Sequence, residues 1–157
     1  MMISSKGRYA LRVMLDMAEQ HGEGYIRLGD IAARQDISRK YLESIMTSLC
    51  KNDLVESALG KSGGYKLVRQ PEEYKIGEIL EAAEGELAPV SCLSKDGNKC
   101  ESKGCCYTLA FWKGLEDHIN AYVNSYTLKD LLDGKDSNLK CGSLSSLPDG
   151  EVVKIRT

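Results

Sequence analysis

The sequence predicts a mainly α-helical protein with a small β hairpin, an α+β fold of modest size. Three patterns predict it: two short helices joined by a tight turn between Tyr25 and Lys51, a glycine-rich hairpin directly after them, and a long apolar row near residues 108–126. With 157 residues, of which 42% are hydrophobic and 28% charged, the chain can form a core and stay soluble. Together these patterns indicate a winged helix-turn-helix followed by a long helix.

The helix-turn-helix is predicted from spacing and capping. A short helix is expected from Gly29 to Gln35, followed by a turn in which Ser38 can cap the next helix. That second helix has one apolar stripe at helical spacing: Leu42, Ile45, Met46, Leu49 and Cys50. Its other side is polar and partly cationic: Ser38, Arg39, Lys40, Tyr41, Glu43 and Ser44. We expect this side to contact double-stranded DNA in the major groove, and an ordinary helical hairpin of a core is the competing interpretation.

The flanking segments complete a unit over residues 1–85. A first helix is expected from Ser4 or Ser5 to about Gln20, and another from Ile76 to Ala83. Between them, two β-prone runs surround a glycine-rich tip and predict a wing whose DNA contacts are Lys61, Ser62, Gly63 and Gly64, the glycines through their backbone N–H groups. The tip is not a nucleotide-binding loop, because Val55 stands where that loop requires glycine.

A long helix is predicted from about Cys105 to about Ser125, within a unit of residues 107–133. A short helix to Leu132 follows, because Thr127 and Asp130 resemble a capping box. The apolar residues of the long helix recur at heptad-like spacing: Thr108, Trp112, Leu115, Ile119, Tyr122 and Tyr126. The last five favour a homodimer, and packing on the chain's own domain is the alternative. A twofold dimer would place two reading helices about 34 Å apart, as a pseudo-palindromic operator requires. Residues 134–157 predict a loosely held tail.

Charge and targeting signals narrow the class further. Residues 1–70 carry 11 Lys or Arg and 8 Asp or Glu, whereas residues 71–157 carry 10 and 15, within a net charge of −2. This polarity suits a nucleic-acid-binding front and a rear that does not bind it, although the bias is modest. With neither a secretory signal nor a membrane span in the sequence, we expect a cytoplasmic protein without a membrane partner.

Four cysteines fall within the segment 86–106, and three of them suggest a metal centre. Cys92, Cys100 and Cys106 could supply the thiolates that iron–sulfur clusters require, with Cys105 or Glu101 as further candidates. A [2Fe–2S] cluster is favoured, and [4Fe–4S] stays open. Zinc is an alternative despite the missing C-x2-C pairs, and so is metal-free thiol switching. Cys50 is expected to be a small core residue, and Cys141 in the tail carries no signal.

These residues resemble the winged-helix transcriptional regulators typified by the iron–sulfur cluster regulator IscR, with CymR and NsrR as relatives. The resemblance covers residues 2 to about 133 and is specific in several motifs: Met2-Ile-Ser-Ser-Lys6-Gly7-Arg8-Tyr9-Ala10-Leu, Ile31-Ala32, Tyr41-Leu42-Glu43, Leu54-Val55, Gly63-Gly64-Tyr65-x-Leu67, Gly77-Glu78-Ile79, the three cysteines and Trp112. It implies dimeric regulators, often repressors, that respond to an iron–sulfur cluster. It also implies that Glu43 discriminates between DNA sites. The alternative is that Glu43 is only a solvent-exposed helix residue without that role.

The resemblance leaves the fourth cluster ligand open. The family's histidine, three residues after the third cysteine, is replaced by Leu109, and the aspartate of NsrR-like members by Arg8. Cys105, Glu101, Cys141 or an acid of a partner subunit remain as candidates. A small electron carrier is a further alternative for the whole chain, but it would gain nothing from a helix-turn-helix. The sequence contains no catalytic constellation, so we expect a regulator and not an enzyme.

Overall fold

The computed structural model describes residues 3–20, 22, 24–94 and 103–134. This part contains six α-helices and one antiparallel strand pair: α1 Ser5–Glu19, α2 Leu28–Gln35, α3 Arg39–Lys51, β1 Val55–Ala58, β2 Gly64–Leu67, α4 Ile76–Glu84, α5 Leu109–Ser125 and α6 Leu128–Leu132. Short 3-10 turns connect some of them: Pro71–Glu73, Ser91–Leu93 and Lys103–Cys105. A mainly helical fold with one small sheet confirms the predicted fold class.

Capping residues fix where α1 and α3 begin and where α2 ends. The Ser4 hydroxyl accepts a hydrogen bond from the Lys6 amide at 3.0 Å, and the Ser38 hydroxyl accepts one from the Tyr41 amide at 3.3 Å. Asp36 ends α2 in the left-handed conformation, with φ 52°, which short polar side chains tolerate better than most. The predicted turn and the predicted cap at Ser38 are therefore confirmed.

The core lies where α1, α2, α3, α4 and α6 meet. Its fully buried side chains come from all of them: Val13, Met14, Met17, Ile31, Leu42, Ile45, Met46, Leu49, Tyr74, Ile79 and Leu128. Burying an aliphatic side chain of this size contributes about 1.5–3 kcal/mol, so the apolar stripe of α3 is a main source of stability. Asp16 is buried as well, and its carboxylate accepts hydrogen bonds from Arg34 at 2.8 and 2.7 Å and from Gln35 at 3.0 Å.

The wing is a two-stranded hairpin held to the segment before α2. Val55 pairs with Leu67 and Ala58 with Gly64, one residue away from the predicted strand limits, residues 54–57 and 65–68. Ile26 exchanges two 2.8 Å backbone hydrogen bonds with Tyr65 and forms an isolated β-bridge beside the hairpin. The predicted hairpin is confirmed, and the tip-side half of its second strand is fixed against the segment that leads into the helix-turn-helix.

The long helix begins later than predicted, at Leu109 and not near Cys105. The Leu109 amide donates to the Cys106 carbonyl at 3.2 Å, and the first helical bond runs from the Trp112 amide to the Thr108 carbonyl at 3.1 Å. The prediction was wrong because the backbone from residue 103 to 108 forms a 3-10 turn and a second turn before it becomes helical.

The C-terminal end of α5 is anchored to the body. The Ile76 amide donates to the Tyr126 carbonyl at 3.0 Å, and the Leu128 amide donates to the Tyr74 carbonyl at 2.9 Å. A Cβ at Gly77 would overlap the Asn124 side-chain oxygen, so glycine allows α4 and α5 to approach closely. The helix therefore projects from one fixed end.

A capping box begins the last helix, as the sequence predicts. The Asp130 amide donates to the Thr127 hydroxyl at 3.1 Å, and the Thr127 amide donates to the Asp130 carboxylate at 2.9 Å. The predicted tail lies, apart from Gly134, outside the described residues, as does Cys141. None of the helices in the described part is long and apolar enough to cross a membrane.

Candidate DNA-reading surface and cysteine site

The polar side of α3 is exposed along its first turns. Arg39, Lys40, Glu43 and Ser44 are exposed, and Ser38 precedes them at the N-cap. Since the N-terminal residues of a reading helix meet base edges, this side has the residue types that direct readout requires. The structure therefore brings the predicted DNA-contacting residues of α3 onto one surface.

Arg39 and Tyr41 have contacts within the protein. A Cβ added at Gly29 would lie 2.6 Å from a guanidinium nitrogen of Arg39, so the Arg39 side chain lies against the start of α2. The Tyr41 ring packs edge-on against Tyr9 of α1 with centroids 5.9 Å apart. Tyr41 is half-buried as a result, and its ring contributes packing between α1 and α3.

Glu43 lies near the second strand of the wing. Burial raises the pKa of the Tyr65 phenol, and the nearby Cys50 and the Glu43 carboxylate raise it further. Cys50 itself is half-buried against the core, and burial raises the pKa of its thiol, as expected of a small core residue. Glu43 is thus an exposed residue of α3 close to the wing, and a ligand on that surface could reach its side chain.

The wing tip divides into contact residues and shaping residues. Lys61 and Ser62 are exposed at the turn. Gly60 has φ 104°, which favours glycine, and the Gly63 amide donates to the Gly60 carbonyl at 3.0 Å. The Gly63 N–H thus has a partner within the turn, and its predicted contact with phosphate stays a prediction.

Two further features of the wing tip come from the structure. A Cβ at Gly64 would overlap the Ile26 carbonyl, so Gly64 allows the Ile26 backbone to approach β2. Leu59 at the tip is fully exposed and was missed by the sequence reasoning, although an aliphatic residue beside a glycine turn was a signal for it.

The cysteine segment, residues 86–106, is described only at its two ends. Cys92 lies half-buried in the turn Ser91–Leu93, whereas Cys105 is exposed and Cys106 half-buried just before α5. Cys100 and Glu101 lie outside the described residues. In the part of the chain that the structure describes, no group of three His, Cys, Asp or Glu side chains is arranged to hold a metal ion.

Cys106 has the chemistry of a thiolate ligand. Its Sγ lies 3.3 Å from the Thr108 hydroxyl, and hydrogen bonds from the Thr108 side chain, the Thr108 backbone and the Leu109 backbone lower the pKa of the thiol. A lowered pKa favours the anionic form that binds iron. The position of the family histidine, Leu109, opens α5, and its aliphatic side chain supplies no metal-binding atom. His118 lies further along α5, with Nδ1 2.6 Å from the Gly114 carbonyl.

The predicted dimer residues of the long helix differ in how far they are exposed. Trp112, Ile119 and Tyr126 are half-buried. Leu115 and Tyr122 are exposed at 38% and 66% of their surface. Phe111, exposed at 66%, joins them in an exposed stripe that the sequence reasoning did not include, and its ring contacts Trp112 with centroids 4.9 Å apart.

An apolar groove lies beside this exposed stripe. It is lined by residues of α4 and α5, by one residue before α1 and by one residue after α4: Ile3, Leu80, Leu87, His118, Ile119, Tyr122 and Val123. Large apolar patches of this kind on a soluble chain mark surfaces that another molecule covers.

A capped reading helix, a wing held to the segment before the helix-turn-helix and a projecting long helix define a winged helix-turn-helix DNA-binding regulator. The chain belongs to the Rrf2 family of iron-dependent transcriptional regulators, whose family model matches residues 3–134.

Characterised relatives agree with this assignment. The HTH-type transcriptional regulator IscR of Serratia proteamaculans is 38% identical over 136 residues, which cover 87% of this chain and 82% of the relative. IscR of Escherichia coli is 37% identical over the same length.

Solved structures show the same fold. IscR of T. potens matches with a TM-score of 0.67 and 34% identity over 87% of this chain and 89% of that one. CymR, the global cysteine regulator of B. subtilis, matches with a TM-score of 0.67 and 33% identity over 85% and 97%. The likeness to IscR-type regulators that the sequence motifs imply is thus confirmed.

Proposed function

We propose that this chain is a cytoplasmic, dimeric regulator, acting as a repressor, that senses iron–sulfur status or redox state through a cluster held by Cys92, Cys100 and Cys106. One observation carries the proposal: hydrogen bonds from Thr108 lower the pKa of the Cys106 thiol just before the start of α5, and the other end of α5 is anchored to the DNA-reading domain. A change at the cysteines therefore has a physical connection to that domain.

The donor set suits an iron–sulfur cluster. Cys92 and Cys106 lie at the two ends of the cysteine segment, and Cys100 lies between them in the sequence. Soft thiolates bind iron–sulfur clusters, and the bound group would supply redox and oxygen sensitivity. We infer a [2Fe–2S] cluster whose fourth ligand replaces the family's histidine and comes from Cys105, Glu101 or a partner subunit.

The exposed stripe of α5 supports the dimer. Phe111, Leu115 and Tyr122 would each bury apolar surface against a second copy, with the apolar groove beside them as a further contact. Two reading helices related by a twofold axis would then meet two half-sites of a pseudo-palindromic operator.

In each subunit, α3 and the wing would combine contacts to the DNA backbone with contacts to base edges. Lys40 and Lys61 are suited to phosphates, and Ser44 to phosphate or base edges. Glu43 can accept a hydrogen bond from a cytosine amino group and repels phosphate, so it would reject sites that lack cytosine at that place. Gel shifts of Glu43→Ala against operators with single cytosine changes test this role, which fails if the variant discriminates as well as the wild type.

The proposal is tested on anaerobically purified full-length protein by its visible absorption spectrum, iron content and acid-labile sulfide. We expect charge-transfer bands with iron and sulfide in the wild type, and the loss of all three in Cys106→Ala. Lys113→Ala, on the first turns of α5, serves as a matched control that retains them. Gel shifts on the chain's own promoter then compare the DNA affinity of the wild type with that of Cys106→Ala. A colourless, iron-free wild-type protein contradicts the cluster proposal.

A thiol-based or zinc-based regulator is the second candidate function. The lowered pKa of Cys106 favours it, because a thiolate next to another cysteine also reacts with oxidants and binds zinc. A colourless protein that contains zinc, or whose DNA affinity changes when Cys106 is oxidised without metal, supports this candidate over the cluster.

A further inference from the structure

The last residue of α4 makes a concentrated contact with the start of α1. Oε1 of Glu84 accepts hydrogen bonds from the Ser4 amide at 2.9 Å, the Ser4 hydroxyl at 2.7 Å and the Gly7 amide at 2.8 Å. The first amides of a helix have no partner within the helix, and a carboxylate there is also favoured by the helix dipole. A single oxygen atom therefore holds the first turn of α1.

Gly7 is the residue that makes this contact possible. A Cβ at this position would overlap Glu84 Oε1, so any larger residue would push the carboxylate away. Gly7 lies inside a helix, where glycine costs about 1 kcal/mol relative to alanine. The close approach of Glu84 gives a reason for glycine at this position.

The same turns of α1 contact the reading helix α3 at both of its ends. The Lys6 ammonium donates to the Ser48 hydroxyl at 2.7 Å, in the last turns of α3. One turn further along α1, Tyr9 packs against Tyr41 in the first turn of α3. A shift of the first turns of α1 would therefore act on both ends of α3 and change its tilt.

Glu84 also stands where the cysteine segment begins. Gly85 follows it with φ 84°, ends α4, and directs the chain into the cysteine segment, with Cys92 seven residues later. Glu84 is thus connected to two parts of the chain. The backbone connects it to the cysteine segment, and its hydrogen bonds to α1 connect it indirectly to α3.

We propose that Glu84 is a positioning residue that couples the cysteine segment to the reading helix through the first turn of α1. The inference rests on the proposed function, since it names the route by which a change at the cysteines alters DNA binding. Movement of the segment after Gly85 displaces the Glu84 carboxylate, and the groups on α1 that it holds follow. Packed elements pass on such small shifts because their contacts have few alternative arrangements.

The test compares Glu84→Ala with Glu84→Gln in the full-length protein. Glutamine keeps an acceptor oxygen at the same place, whereas alanine removes it. For each protein, the affinity for the promoter DNA is measured in the iron–sulfur-loaded and the iron-free form, and the ratio of the two affinities is the readout. Hydrogen exchange of residues 3–10 and 39–51 in both forms reports whether α3 responds.

We expect a ratio in the range of about 5–150 for the wild type and Glu84→Gln, and a ratio below about 2 for Glu84→Ala. In the wild type, removal of iron should change exchange in both peptides, and in Glu84→Ala the change in residues 39–51 should disappear. Gly7→Ala, which disturbs the same contact from α1, should behave like Glu84→Ala. A purely structural role would lower melting temperature and affinity in both forms equally and leave the ratio unchanged.

Two results overturn the coupling in different ways. If Glu84→Ala and Gly7→Ala both show the same ratio of DNA affinities between the loaded and iron-free forms as a responsive wild type, the coupling alone is wrong and the sensing proposal stands. If the wild type binds iron and DNA but its affinity is the same in both forms, the sensing proposal is wrong and the coupling with it.

Discussion

The body, which consists of the described residues of 3–88 together with α6, differs in construction from the described residues between them, 89–94 and 103–125. In the body, apolar stripes face one another, and the buried carboxylate of Asp16 accepts hydrogen bonds from Arg34 and Gln35. In the second region, α5 has no fully buried residue and exposes three large apolar side chains, and the described cysteines are not grouped as a metal site. The body satisfies its interactions internally, whereas the second region has the features of a surface completed by other molecules.

The largest expected effect concerns stability, and it separates the two regions directly. Leu49→Ala, in the buried stripe of α3, should lower the free energy of unfolding by about 2–5 kcal/mol, because it leaves a cavity in a packed core. Leu115→Ala, on α5, should change it by less than about 1 kcal/mol at concentrations where the chain is monomeric. Urea unfolding at two protein concentrations measures both, and equal losses would show that α5 packs within its own chain.

The second effect concerns association. Phe111→Asp or Tyr122→Asp should raise the dimer dissociation constant by about 30-fold or more, because a charge replaces an aromatic side chain at the centre of the expected interface. Sedimentation velocity measures the change, with circular dichroism to confirm that the fold is retained. Asp117→Ala, exposed elsewhere on α5, is the control, and a variant that remains fully dimeric places the interface on another surface.

The third effect compares one thiol from each region of the metal-free protein. Burial raises the pKa of Cys50, whereas hydrogen bonds from Thr108 lower the pKa of Cys106. Cys106 should therefore be alkylated by iodoacetamide about tenfold faster near pH 7, and the difference should narrow as pH rises through the higher pKa of Cys50. Thr108→Val should slow Cys106 alone, as measured by peptide mass spectrometry. Equal rates at neutral pH would contradict the thiolate assignment.

The smallest effect lies within the wing. Lys61→Ala should weaken DNA binding a few-fold on every sequence and reduce the salt slope by about one, because it removes one phosphate contact. Lys66→Ala is the matched control, since Lys66 already pairs with Glu56 at 3.4 Å on the strand. Fluorescence anisotropy over a salt series measures both slopes. A larger change for Lys66 would mean that DNA meets the side of the wing and not its tip.

The sequence predicted those features that depend on neighbouring residues. The cap at Ser38, the buried stripe of α3 and the capping box of Thr127 and Asp130 involve residues three to eight positions apart, so their patterns can be read directly. The hairpin was also recognisable, because β-prone runs around Gly60 to Gly64 have few other conformations. The body was therefore predictable with an error of about one residue at the strand ends.

Features that depend on distant partners were not predictable. The contact of Glu84 with Ser4 and Gly7 joins residues about eighty positions apart, and no local pattern indicates it. The start of α5 was misplaced, because heptad spacing does not show that residues 103–108 form turns first. The exposure of Phe111 was missed for a related reason: spacing identifies an apolar row but not which side of it the chain itself covers.

The anchoring of α5 at one end has a mechanical consequence. Its 17 residues span about 25 Å at 1.5 Å per residue, with Tyr126 tied to Ile76 at the base and Cys106 beyond the far end. If α5 tilts about this anchored end, a rotation of five degrees moves its far end by about 2 Å. Conversely, a displacement of atomic size at the thiols corresponds to a rotation of only a few degrees at the anchored end. The length of α5 therefore determines how much of a movement at the thiols reaches the DNA-reading domain as rotation.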